Sequence, residues 1–180
     1  MLAGEAASLL GLERVLLVPA GEPPHRRIVP EPGRATRLEM TRLAAAGNAL
    51  LEASEIETAR EGPSYSFETL ELLAAERPGD ELWFLMGADV AAALDSWRRP
   101  ERVLELARVA VAGRPGTVLD EAETTLERLG AAGRMAQVGM PELGVSSTLV
   151  RRRVAAARPI RYLVPDGVLE LIEADGLYRD

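Results

Sequence analysis

Short runs of Val, Leu and other apolar residues alternate with longer stretches of helical periodicity from one end of this 180-residue chain to the other. Strands covered on both faces read as near-continuous hydrophobicity, and the helices that cover them show an apolar stripe, so the alternation predicts an α/β fold. The strand segments are Val15 to Val18, Ala53 to Glu57, Leu82 to Met86, Val109 to Ala112 and, with a weaker pattern, Met135 to Val138. Helical patterns lie between them at Thr36 to Ala46, Phe67 to Arg77, Pro100 to Leu106 and Glu121 to Ala132. In the second, Phe67, Leu70, Leu73 and Ala74 make one stripe that packs on a sheet. A helix opening at Met1, with Leu2, Ala6, Leu9 and Leu10 near one face, stops at Gly11. Two more close the chain at Ser147 to Ala157 and Pro165 to Ala174, with Pro165 suited to a first helical position and Gly176 to a stop. No repeat, linker or low-complexity stretch interrupts the pattern. A chain of this length buries about 70% of its unfolded surface, so the expectation is a single domain over residues 1–180.

Composition narrows the chemistry. The chain has no cysteine, all 21 of its basic side chains are arginine, and His25 is its one histidine. Thiol nucleophiles, lysine Schiff bases, the phosphate-loop lysine and zinc sites built on Cys or several His are thereby excluded, and no protein metal ligands are predicted. The net charge of −7 argues against nucleic acid as a partner, whose backbone attracts basic surfaces. The longest charge-free run, Leu43 to Leu51, has nine residues, about half of what a membrane span needs. With no export signal in the first residues and no cysteine, the expected compartment is the cytoplasm, with no membrane partner.

Four segments carry candidate chemistry. Gly144-Val145-Ser146-Ser147-Thr148-Leu149-Val150-Arg151 places hydroxyls at a helix start with an arginine one turn in. Free N–H groups and the positive end of the helix dipole suit an anion there, and Arg151 falls on the same face as Ser147. Simple capping by Ser146 or Ser147 is the bland alternative, and Arg152 and Arg153 are expected to be solvated. Pro19-Ala20-Gly21-Glu22-Pro23-Pro24-His25-Arg26 follows a strand, at the edge where ligands of open α/β sheets bind, and offers His25 and Arg26 as phosphate donors. A surface loop is the alternative. Leu82-Trp83-Phe84-Leu85-Met86-Gly87-Ala88-Asp89 is a buried strand ending in Gly87, which admits close backbone approach, and Asp89, which can accept from ribose hydroxyls or cap a helix. Trp97 follows, able to stack on a flat ring or to anchor a loop. Gly62-Pro63-Ser64-Tyr65-Ser66-Phe67 starts a helix with Ser66 as its expected cap, and the N–H groups beside it can hold a carboxylate.

Taken in order, Pro19 to Arg26, Pro63 to Ser66, Gly87 to Asp89, Ser96-Trp97 and Val145 to Arg151 resemble the motifs of bacterial nicotinate-nucleotide adenylyltransferases, members of the nucleotidyltransferase superfamily. Tyr162-Leu163-Val164-Pro165 and Gly176-Leu177-Tyr178 resemble that family's C-terminal pattern. The resemblance implies a Rossmann-like parallel sheet with helices on both faces and a C-terminal helical segment. It also implies adenylyl transfer from ATP, with Mg²⁺, to nicotinate mononucleotide. By the same resemblance Ser147, Thr148 and Arg151 hold ATP phosphates with His25 and Arg26 beside them, and Arg151 stabilises the phosphates during transfer. Gly87 and Asp89 bind nucleotide ribose, Trp97 stacks on the nicotinate ring, and the amides around Tyr65 and Ser66 take its carboxylate. Many relatives carry threonine where Ser66 stands. The partners implied are small molecules, with a homo-oligomer as a further assembly open to the chain.

The family opens with a strand and a Gly-Gly-x-Phe-Asp-Pro-x-His-x-Gly-His loop that these residues do not contain, and Met1 to Ala7 resembles the helix that follows it. In a 3-2-1-4-5 sheet that first strand is central, so two strand edges are expected to be left unpaired and stability to be low. An upstream, in-frame strand and loop are therefore expected in the gene, and slow turnover from these 180 residues alone. A catalytically impaired nucleotide-binding protein is the alternative. Another adenylyltransferase of the superfamily, such as one acting on pantetheine phosphate, is disfavoured by Trp97 and the Tyr65-Ser66 segment.

Overall fold

The computed structural model describes residues 1–22, 32–113, 119–139 and 144–179. In chain order the first elements are helix α1 (Leu2–Leu10), strand β1 (Val15–Leu17), α2 (Gly33–Ala45), β2 (Leu51–Ala53) and α3 (Ser66–Glu76). Next come β3 (Trp83–Gly87), α4 (Ala88–Ala92), a 3₁₀ turn (Leu94–Ser96), α5 (Pro100–Leu106) and β4 (Arg108–Gly113). The last are α6 (Asp120–Arg128), β5 (Met135–Gly139), α7 (Ser147–Ala155) and α8 (Asp166–Ala174). No helix among the described residues is long and apolar enough to cross a membrane.

The alternation predicted from sequence is present, with local corrections. The second strand lies at Leu51–Ala53 rather than at Ala53 to Glu57. Hydroxyl side chains explain the early end: Ser54 Oγ accepts from Ile56 N at 3.4 Å and Thr58 Oγ1 donates to Glu55 O at 3.2 Å, turning the backbone out of the ladder. Helix α6 stops at Arg128 instead of Ala132 because Gly130 turns left-handed at φ 74° and Ala131 N donates back to Leu126 O. Pro165 is the cap of α8 rather than its first residue. The alanine-rich run Ala88–Ala92 forms a short helix that sequence reading did not single out.

The chain divides into two compact units, interleaved in sequence. The first comprises Met1–Glu13 and Ser64–Glu142. Its sheet has the order β3-β4-β5, all parallel, with Phe84 paired to Val109 and Gly87 to Ala112. Alternation along β4 splits the core. Val109 and Val111 pack with Leu94, Leu104, Ala122 and Leu126 on one face. Ala110 meets Ala6 of α1 and Val138 of β5 on the other. Phe67 and Leu70 of α3 pack with Val103 and Ala107 at α5, and Arg102 of α5 reaches Glu71 of α3 at 2.7 Å.

The second unit comprises Arg14–Pro63 and Leu143–Asp180. Here β1 and β2 pair in parallel, Val15 with Leu51. Val150 of α7, Val168, Leu169 and Ile172 of α8, and Ile160 form its buried centre, with Met40, Leu43 and Tyr178 packed against them. Gly167 sits so close to α2 that a Cβ would stand 3.2 Å from Leu43 Cδ2, so the absence of a side chain sets the α2–α8 approach. Among the described residues β1 and β2 form a two-stranded sheet, and β3 and β5 are the outer strands of the three-stranded one.

Candidate active site

In the first unit the candidate residues gather around the end of β3 and the start of α3. β3 terminates at Gly87, in extended conformation, where a Cβ would lie 2.7 Å from Asp89 Oδ1. The glycine therefore provides space rather than an unusual torsion, and it lets the Asp89 carboxylate lie over the strand end. Gly87 caps α4 with no side-chain hydrogen bond, so Asp89 does not cap that helix, and it is exposed. Trp97 ends the 3₁₀ turn, half-buried, its indole set edge-on to Phe84 of β3 at 5.9 Å and 82°. That contact anchors the ring to the strand that carries Gly87 three residues on.

Tyr65, not Ser66, occupies the cap position of α3, and the Tyr65 side chain makes no capping hydrogen bond. This corrects the sequence expectation for Ser66, which is the first helical residue and carries no capping hydrogen bond. Tyr65 stacks with Phe67 at 6.1 Å. Arg98, next to Trp97, lies 4.7 Å above the Tyr65 ring, and Arg99 lies 4.9 Å above Phe67. The segment after the indole is thus joined to the start of α3, bringing Tyr65 and Ser66 into the neighbourhood of Trp97. Arg99 adopts φ 55°, a left-handed turn that directs the chain into α5 with Pro100 at its first turn.

In the second unit Ser146 caps α7, its Oγ accepting from Leu149 N at 3.1 Å. The capping alternative is therefore correct for Ser146 and does not consume its neighbours: Ser147 and Thr148 are exposed. Arg151, half-buried one turn on, lies near enough to Tyr178 for its charge to act on the phenol. Burial pushes Tyr178 above its ordinary value, and the guanidinium charges of Arg151 and Arg37 oppose that rise. Arg152 is exposed as expected, whereas Arg153 is half-buried and donates to Pro159 O at 2.9 Å. This corrects the expectation that both are solvated. The proline carbonyl beyond the helix end offers Arg153 Nε a partner.

His25 and Arg26 lie outside the described residues. In the described chain before them, Arg37 Nη2 donates to Ala20 O at 2.7 Å and to Gly21 O at 2.6 Å. Arg34 donates to Arg60 O at 2.6 Å and to Glu22 at 3.0 Å. Sequence reasoning passed over this pair. Two arginines three apart near a helix start, where positive charge opposes the dipole, were the signal that they have other work. An open cleft of about 330 Å³ lined by Ala92, Asp120, Glu121, Thr124, Thr125 and Arg128 contains none of the candidate residues, and its carboxylates do not suit a triphosphate.

The cytidylyltransferase-like family profile matches residues 1–153. The chain belongs to the cytidylyltransferase-like family. Within it, the chain is 43% identical over 178 residues to a probable nicotinate-nucleotide adenylyltransferase of Roseiflexus sp. strain RS-1, spanning 99% of this chain and 89% of that one. It is 40% identical over 177 residues to a probable nicotinate-nucleotide adenylyltransferase of Thermus thermophilus, spanning 98% of this chain and 89% of that protein. Its fold matches that of the Plasmodium falciparum nicotinic acid mononucleotide adenylyltransferase solved with NaAD, with a TM-score of 0.75 at 15% identity over 99% of this chain and 88% of that one. The parallel sheets with flanking helices are thus those of a Rossmann-like nucleotidyltransferase.

Proposed function

We propose that this chain transfers the adenylyl group of ATP to nicotinate mononucleotide, giving nicotinic acid adenine dinucleotide and pyrophosphate in NAD biosynthesis. One observation carries the reading: at the start of α7 the cap is supplied by Ser146, while Ser147 and Thr148 stay exposed and Arg151 follows one turn on. Relatives that are 40% or more identical along nearly the whole chain supply the substrate pair.

A phosphate oxygen of nicotinate mononucleotide attacks the α-phosphorus of ATP, and the bond to the bridging oxygen breaks, pyrophosphate leaving with the electron pair. The mononucleotide is its own nucleophile, which suits a chain without cysteine or lysine. Catalysis then rests on alignment and on stabilising the charge that moves to the leaving group. Ser147, Thr148 and the first-turn amides of α7 hold phosphate oxygens, His25 and Arg26 supply further phosphate donors by the family resemblance, and Arg151 meets the growing charge. Gly87 and Asp89 receive ribose, Trp97 stacks on the pyridine ring, and the amides at Tyr65 and Ser66 face its carboxylate. Mg²⁺ arrives on the triphosphate as MgATP; among the described residues no group of three or more carboxylates or histidines gathers to hold an ion.

The test is incubation of the chain with MgATP and nicotinate mononucleotide. Dinucleotide and pyrophosphate are expected in equal amounts, with binding of both substrates. Failure to form product together with failure to bind nicotinate mononucleotide overturns the reading. Adenylylation of pantetheine phosphate in its place assigns the chain to a different reaction of the superfamily.

A further inference from the structure

We propose that Thr125 and Arg128 of α6 are positioning residues for Trp97, fixing by hydrogen bonds the turn that presents its indole, an inference that rests on the adenylyl transfer proposed above. Thr125 is 2% exposed, and its hydroxyl is the middle member of a row of bonds. Oγ1 donates at 2.9 Å to the carbonyl of Ala92, the last residue of α4, and accepts from Arg128 Nη2 at 3.0 Å. The same Nη2 lies 3.0 Å from Oδ2 of Asp95, in the 3₁₀ turn. Thr125 and Arg128 are three positions apart, on one face of their helix, so α6 grips both ends of the segment Ala92 to Asp95. Trp97 comes two residues after it.

The segment needs such a grip. A helix that stops leaves its last carbonyls without intrahelical partners, and α4, five residues long, with a three-residue turn after it, has few internal bonds to hold its shape. Leu94 of the turn is fully buried in the cluster that contains Leu126 of α6, which sets depth; apolar packing has no direction of its own. The bonds from Thr125 and Arg128 supply the direction. Of the two, the ion pair is exposed and contributes little alone, whereas the Thr125 hydroxyl acts out of water, where its bonds are strongest. Phe84 meets the indole edge-on and fixes its distance from β3, so the orientation of the stacking face follows the backbone that carries it. A displacement of about 1 Å in a group that aligns a substrate is enough to lose much of its benefit.

Trp83→Phe leaves Trp97 as the one tryptophan of the chain, so emission then reports that indole alone. In this background, titration with nicotinate mononucleotide followed by Trp97 emission, with MgATP affinity measured by calorimetry, decides the matter. Thr125→Val keeps the shape and removes the bonds; it is expected to weaken nicotinate mononucleotide about tenfold and to lower the anisotropy of Trp97, with MgATP within about twofold. Thr125→Ser keeps the hydroxyl, loses the methyl group, and is expected to bind as the parent does. Thr58→Val removes another buried hydroxyl, in the second unit, and is expected to leave nicotinate mononucleotide affinity unchanged. Arg128→Gln, at an exposed side chain, is expected to cost about threefold and decides the case if Thr125→Val does not fold. Unchanged affinity and anisotropy in Thr125→Val, or in Arg128→Gln where that variant decides, overturn the inference. So does a Thr125→Ser as weak as Thr125→Val, which shows packing rather than bonding, or an equal loss in Thr58→Val. All of these leave the proposed reaction standing. A parent chain that binds no nicotinate mononucleotide overturns the reaction itself.

Discussion

The starts of α3 and α7 are both helix N-termini assigned to anions, and they are built from different parts. α7 has a serine cap that satisfies Leu149 N, then two exposed hydroxyl residues, then an arginine from its own second turn. α3 has a cap residue, Tyr65, whose side chain makes no capping bond, a stacked Tyr65–Phe67 pair, and arginines supplied by the segment after Trp97. A hydroxyl-rich start with a built-in cation suits a phosphate chain that needs donors on several sides. An aromatic start with cations over its rings offers flat apolar surface and positive charge together. The same backbone dipole is specialised by the side chains placed around it.

The largest effect is expected where the cation belongs to the helix. With Arg151 on the triphosphate as proposed, Arg151→Ala should lower kcat/KM for MgATP about 100-fold with little change in nicotinate mononucleotide binding. Arg151→Lys should recover part of the loss. Equal loss for both substrates breaks the assignment of α7 to the triphosphate.

Next is the support behind that end of the second unit. Arg37 fixes the carbonyls of Ala20 and Gly21 where the chain leaves β1 toward His25 and Arg26. Arg37→Ala should raise KM for MgATP about tenfold while kcat changes less, since a loop freed from its anchor must be ordered again on binding. A melting curve run alongside separates this from unfolding. A KM that does not move shows the loop to be held without Arg37.

A smaller and purely structural contrast follows. Ser146→Ala should cost about 1 kcal/mol in urea denaturation, because Leu149 N loses its acceptor, whereas Ser66→Ala should cost no more than a few tenths, about what a residue with no capping bond contributes. Equal losses break the distinction between a capped and an uncapped start.

These features were unevenly legible in the sequence. Period and turn chemistry gave the α-helices other than α4, and four of the strands, nearly in place, because Gly11 and Pro100 impose local conformations that packing does not override. The strand at Leu51–Ala53 was misplaced, since Ser54 and Thr58 close turns that composition does not distinguish from strand residues. Ser147, Thr148 and Arg151 were visible because one segment holds them all. Arg98 on Tyr65 was not, because the two are 33 positions apart and a ring below a guanidinium leaves no period or spacing to read. Arg37 was missed for the same reason: its partners are backbone carbonyls, which any residue supplies.

The smallest effect concerns Tyr178, which reports the charge gathered behind α7. Burial raises its phenol above the ordinary value, and Arg151 and Arg37 act in the opposite direction. A raised acid in the folded state means that stability is constant below about pH 10, the unfolded value, and falls as pH climbs from there through the folded one, because the unfolded chain releases its proton first. Urea midpoints between about pH 9 and pH 11 should therefore decline more steeply for the chain than for Tyr178→Phe. Parallel curves show that burial and the arginine charges cancel, and a reversed difference shows that the charges dominate. Adding Arg151→Ala sharpens the reading: without that guanidinium the phenol is pushed further up, and the extra alkaline loss should grow.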